Sequence, residues 1–235
     1  MRHIVERATE QVSARLPTEL KYSILELIFP GKDIYVFGPD RWYEVTADGT
    51  AVDVEMLQRN PWTIPPGSLS SEPQKERLAP IQYLYLLEPQ NPLFSEACSL
   101  FKQRRFRMLC HHICSLAESE VGRQQLSLVK NLTTCILPPR KATAAFRALR
   151  RHAESLRYLT VKVEYWNGTY LQRNKSRTPF GQLKVQDSRC FRELRKIRGL
   201  ELVQVESQTL SDCQRDELEA WLRQDMYKSK GRMLS

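Results

Sequence analysis

In ESLRYLTVKVEYW, residues 154–166, a helix-like lead-in gives way to an apolar, strand-like run. Two other stretches have the same form, LSLVKNLTTCIL at 126–137 and ELRKIRGLELVQV at 193–205. Aligning Leu132, Leu159 and Leu200 gives spacings of 27 and 41 residues, so the second interval needs an insertion. WNGTYLQRNKSRTPFGQ, 166–182, supplies a candidate, since it carries turn residues and no period. Helix-then-strand units laid side by side build a short parallel sheet with helices on its outer face. Ordinary α/β crossovers produce the same alternation. Either way the predicted class is mixed α/β.

Upstream, LPTELKYSILELIFPGKDIYVF at 16–37 reads as a helix over 17–29 followed by a strand. Pro17 suits a first helical turn, and Leu20, Ile24, Leu27 and Ile28 recur at helical spacing. Pro30-Gly31 ends the helix. Asp48-Gly49, between β-prone segments, signals a tight hairpin. Residues 59–80 hold five of the thirteen prolines and predict an extended loop. IQYLYLL from 81 is a buried strand or a helix start. Phe94, Ala97, Cys98 and Phe101 form a helical face, and RFRML at 105–109 alternates as a strand does. SDCQRDELEAWLRQDM closes the chain as a helix, with Ser211 and Gln214 placed for a capping box. The expected organisation is a helix plus hairpin at 13–58, a Pro-rich loop at 59–80, a repeat-like α/β region at 81–210 and a terminal helix at 211–228. Together they make one structural domain.

The chain has 235 residues and a net charge of +9, unevenly spread. Residues 1–97 hold 9 Lys+Arg against 14 Asp+Glu, whereas 98–235 hold 27 against 13. Residues 138–198 alone carry 16 basic and 4 acidic residues, which points to an electrostatically directed contact. The first sixteen residues, MRHIVERATEQVSARL, lack the apolar core of a signal peptide, and no apolar run is long enough to cross a bilayer. The expected location is therefore cytoplasmic or nuclear. Cysteines 98, 110, 114, 135, 190 and 213 fit reduced, mostly buried thiols, and the sequons at Asn131, Asn167 and Asn174 read as chance matches.

Cys110-His111-His112-Ile113-Cys114 sets two thiols on one helical face, yet no fourth ligand is nominated by spacing, so a core role is favoured over metal. There is no Gly-x-Ser-x-Gly turn and no Gly-rich loop ahead of a helix. The reading is of a non-catalytic protein without cofactor. Arg147, Arg150 and Arg151, and again Arg192, Arg195 and Lys196, sit at spacings of three and four, so each trio shares a helix face. Such rows suit phosphates of nucleic acid, or an acidic or phosphorylated protein client.

Leu16-Pro17-Thr18-Glu19-Leu20 with Ile24, Leu25, Leu27 and Ile28 resembles the start of an F-box, most closely that of the F-box-like proteins of filamentous fungi. Glu96-Ala97 with Leu100-Phe101 resembles a second segment of that family, and Leu128 to Leu132 a third. The likeness runs over roughly residues 13 to 165, through short motifs. It implies an F-box-like N-terminal helix, and the 27-residue spacing of Leu132 and Leu159, within the leucine-rich-repeat range, points to a short, degenerate leucine-rich-repeat sheet behind it. It also implies a substrate receptor of a Skp–cullin–F-box ubiquitin ligase, with Leu16, Pro17, Leu20, Ile24 and Leu27 meeting a Skp-type adaptor. The chain departs from the family where the first helix runs into Pro-Gly and β-like sequence, so a full three-helix F-box is absent. The same apolar residues would serve as a core face, the commoner use of a helical stripe. Nucleic-acid binding by the basic region is the alternative function.

Overall fold

The computed structural model describes residues 16–53, 75–81, 84–88, 90–136, 139–163, 189–207 and 210–228. The expectations placed on 1–15, on the Pro-rich loop up to 74, on 166–182 and on 229–235 lie outside these residues. The chain is mixed α/β and divides into two compact units, 1–36 with 40–104, and 37–39 with 105–235.

In the first unit, α1 (Thr18–Ile28) follows Pro17 as its N-cap. β1 (Asp33–Val36), β2 (Trp42–Asp53) and β3 (Lys75–Pro80) pair antiparallel in the order β1-β2-β3. Two expectations are corrected here. Asp48-Gly49 is not a hairpin turn: β2 runs through it, and the ladder shifts so that Val45 and Thr50 both register on Leu78. Residues 46–49 thus form a bulge, which uses the same turn chemistry without reversing the chain. Gly49 is needed because a Cβ there would lie 2.7 Å from the backbone of Arg77 and Leu78. Residues 75–80, expected in the loop, form β3, whose pairing with β2 is a distant contact that local composition does not encode. IQYLYLL becomes a 3-10 turn at Leu84–Leu87, followed by α2 (Phe94–Gln103).

Leu25, Phe29, Ile34, Trp42 and Phe101 make the core of this unit. Phe101 takes edge contacts from Phe29 at 5.0 Å and Trp42 at 5.8 Å, each worth about 1 kcal/mol beyond burial. The stop of α1 is fixed by two buried ionic side chains. Arg104 donates to the Phe29 carbonyl at 2.8 Å, and the Gly31 N–H donates to Glu44 Oε2 at 3.0 Å. Burial pushes the Glu44 carboxyl up, opposed by the Gly31 hydrogen bond and the Arg104 charge.

In the second unit, β4 (Arg105–Leu109), β5 (Asn131–Cys135), β6 (Tyr158–Lys162) and β7 (Leu202–Glu206) run parallel as neighbours in that order. The ladder aligns Phe106, Leu132, Leu159 and Val203, and two residues on Met108, Thr134, Val161 and Val205, all buried. The three segments singled out in the sequence are therefore adjacent strands, with two revisions. RFRML joins them as a fourth, and the third aligns on Val203 rather than Leu200. Leu200 is buried ahead of its strand, its N–H held by the Met226 carbonyl at 3.0 Å.

The strands alternate with α3 (Cys110–Glu118), α4 (Glu120–Leu128), α5 (Pro139–His152), α6 (Arg189–Leu194) and α7 (Asp212–Met226). α3 packs on α4 and α5, α5 on α6, and α7 on β7. α7 begins with the expected Ser211–Gln214 capping box. It also closes the outer edge of β7. Glu219 Oε1 accepts the Val205 N–H at 2.7 Å, the Tyr227 hydroxyl accepts the Val203 N–H at 3.4 Å, and Arg223 donates to the Val203 carbonyl at 3.5 Å. Side chains thus occupy the groups to which another strand would pair. Among the described residues no helix is long and apolar enough to cross a membrane.

Candidate functional site

α1 is apolar on two sides. The inner one carries Leu25, which is fully buried, with Lys21, Tyr22 and Ile28 half-buried around it. Lys21 Nζ lies 3.2 Å from Glu96 Oε1 on α2, so a partly buried ion pair fixes the helix beside its apolar anchor. The outer side carries Leu20, Ile24 and Leu27, spaced i, i+4 and i+7. Their exposures are 51%, 39% and 83%. Pro17 is exposed and Leu16 half-buried at the same end. Of the residues assigned to an adaptor from the sequence, Pro17, Leu20, Ile24 and Leu27 therefore face solvent, and Leu16 does so only in part. The residues that hold this outer side in place, Leu25, Arg104 and Glu44, were not singled out, and Arg104 and Glu44 have no local signal that would find them.

The basic residues divide. Arg147 lies 3.5 Å and Lys196 2.8 Å from opposite oxygens of Glu193, which is buried. The Lys196 hydrogen bond, and then that from Arg147, hold this carboxyl below its usual range against the effect of burial. Arg195 turns toward α7, 2.7 Å from Asp225 and stacked 4.5 Å over the Trp221 ring. It thus leaves the face that spacing shares among Arg192, Arg195 and Lys196, because α6 ends at Leu194 and the chain turns. Arg150, Arg151 and Arg192 are exposed, and Arg150 and Arg151 have no ion-pair partner among the described residues.

The Cys-His cluster is built into packing. Cys110 is buried and its thiol donates to the Cys135 carbonyl at 3.1 Å, while Cys114 reaches the Lys141 carbonyl at 3.6 Å. Burial raises the Cys114 thiol and lowers His111, which Lys141 lowers further. A raised thiol is a weaker nucleophile at neutral pH. Among the described residues no group of three His, Cys, Asp or Glu is arranged to hold a metal ion.

An open cleft of about 400 Å³ lies at the carboxyl ends of β6 and β7, lined by Lys162, Gln204, Glu206, Ser207, Arg215 and Glu219. Its ionic groups are matched within the chain: Lys162 with Glu206 at 3.3 Å, Arg215 with Asp212 at 2.8 Å and Glu219 with Arg223 at 2.6 Å. Comparison with family models, with curated proteins and with solved structures finds no significant match.

Proposed function

We propose that the chain is a non-catalytic, F-box-like interaction protein, in which the outer side of α1 docks a Skp-type adaptor and the second unit presents a client surface. On this reading it is a substrate receptor of a Skp–cullin–F-box ubiquitin ligase, and β4–β7 with their helices are a short, degenerate leucine-rich-repeat sheet. The carrying observation is the exposure of Leu20, Ile24 and Leu27 on a helix whose other side is already seated by Leu25. A helix laid into a groove uses anchors at this spacing, and large apolar side chains left in water at three consecutive turns favour a partner. The resemblance of LPTEL…ILELI to an F-box start names which partner to try first.

The nucleic-acid reading ranks second. Three of the six cations assigned to it, Arg147, Arg195 and Lys196, are engaged by Glu193 and Asp225. The test is co-purification of the full chain with a Skp-type adaptor, beside a Leu20→Asp, Ile24→Asp variant of unchanged melting behaviour. Capture by the native chain and loss in the variant is expected. Failure of the native chain to capture any adaptor overturns the reading.

A further inference from the structure

α5 and α6 present a face of different chemistry. Residues 139–152 and 189–198 together hold ten Lys and Arg and a single acidic residue, Glu193. α5 buries Ala142, Ala145, Phe146 and Leu149, which leaves Lys141, Ala144, Arg150 and Arg151 exposed and Arg147 half-exposed. α6 packs beside it, burying Cys190, Phe191 and Leu194 and exposing Arg189 and Arg192. The one carboxylate of the two segments sits between a cation of each, Arg147 and Lys196. His152 next to Arg151 records the same field, lowered by burial and then by Arg123 and Arg151.

We infer that the α5–α6 face, through Arg150, Arg151, Arg189 and Arg192, docks an Asp/Glu-rich segment of a partner polypeptide. Guanidinium groups grip carboxylates through two parallel hydrogen bonds, and rows at helical spacing present several such forks at once. Ten cations against one carboxylate within the two segments make a positive field that an acidic segment complements. Nucleic acid fits less well, because Phe146 and Phe191, the aromatic rings of these helices, are fully buried and offer no platform for stacked bases. The inference rests on the receptor reading only in calling that partner a client; the binding itself is independent of the adaptor.

The test is fluorescence anisotropy of a labelled Asp/Glu-rich peptide titrated with the full chain, at low and at physiological salt. Binding should weaken as salt rises, as surface charge contacts do. It should weaken by about tenfold or more in Arg151→Glu, Arg192→Glu, and by less in Arg151→Gln, Arg192→Gln. Lys32→Glu, Arg41→Glu, which changes net charge equally at exposed sites of the first unit, should bind as the native chain does. Absence of binding at low salt, or equal loss in the Lys32/Arg41 control, overturns the inference. Tighter binding of an RNA or duplex DNA oligonucleotide that depends on Arg151 and Arg192 also overturns it, in favour of a nucleic-acid face. Peptide binding with no adaptor capture leaves the face standing and removes the receptor reading.

Discussion

α1 and α5 are both helices seated by a buried apolar side, and they differ in what they leave outside. α1 exposes Leu20, Ile24 and Leu27; α5 exposes Lys141, Arg150 and Arg151. An arginine row is at ease in water without a partner, whereas a leucine row is not. The apolar stripe therefore carries the stronger statement about function, and the basic face the weaker but more extended one. The inner sides are interchangeable in kind: Leu25 does for α1 what Phe146 does for α5.

That equivalence is the first place to break the comparison. Phe146→Ala should cost about 3–5 kcal/mol and Leu25→Ala about 2–5 kcal/mol in urea unfolding, since each opens a cavity at a fully buried site. A cost below 1 kcal/mol at Leu25 would mean that α1 is held by something other than its inner face. Next in size is Gly31→Ala, because the new Cβ would lie 2.7 Å from Glu44 Cβ and 2.9 Å from the Val45 carbonyl. About 1–3 kcal/mol of destabilisation is expected from that overpacking, with the stop of α1 displaced.

Smaller again is the effect of Glu193→Gln, which sharpens the α5 side. Lys196 and Arg147 depress this carboxyl, so its stabilisation is complete above the unfolded value of about 4.3 and is lost as pH falls through the lower folded one. Near neutrality the variant should be less stable by about 1 kcal/mol, since both cations are part-exposed. Thermal melts of the two proteins should converge at acid pH; a constant difference would mean the ion pairs are not its source.

How much of this was legible beforehand depended on the range of the interaction. The sequence placed the three companion segments as strands because alternation is local, and found the capping box because Ser211 and Gln214 are three apart. It placed a helix at α1 but not its inward side. Leu20, Ile24 and Leu27 form one apolar stripe and Leu25 with Ile28 another, and periodicity alone does not say which one water keeps. The partners of the arginines were illegible for the same reason: Glu193 stands far along the chain from Arg147, and Asp225 far from Arg195. β3 was missed because KERLAP has no strand period of its own, and Asp48-Gly49 misled because a bulge and a hairpin turn use the same residues.

The central claim is that the outer side of α1 is a docking face. It is tested most directly by calorimetric titration of a purified Skp-type adaptor into the native chain and into Leu27→Asp. Leu27 is the most exposed of the three, so the variant should melt with the native protein. Saturable binding to the native chain, weakened by about tenfold or more in the variant, is the predicted result. No binding by the native chain, or equal binding by both, would contradict it.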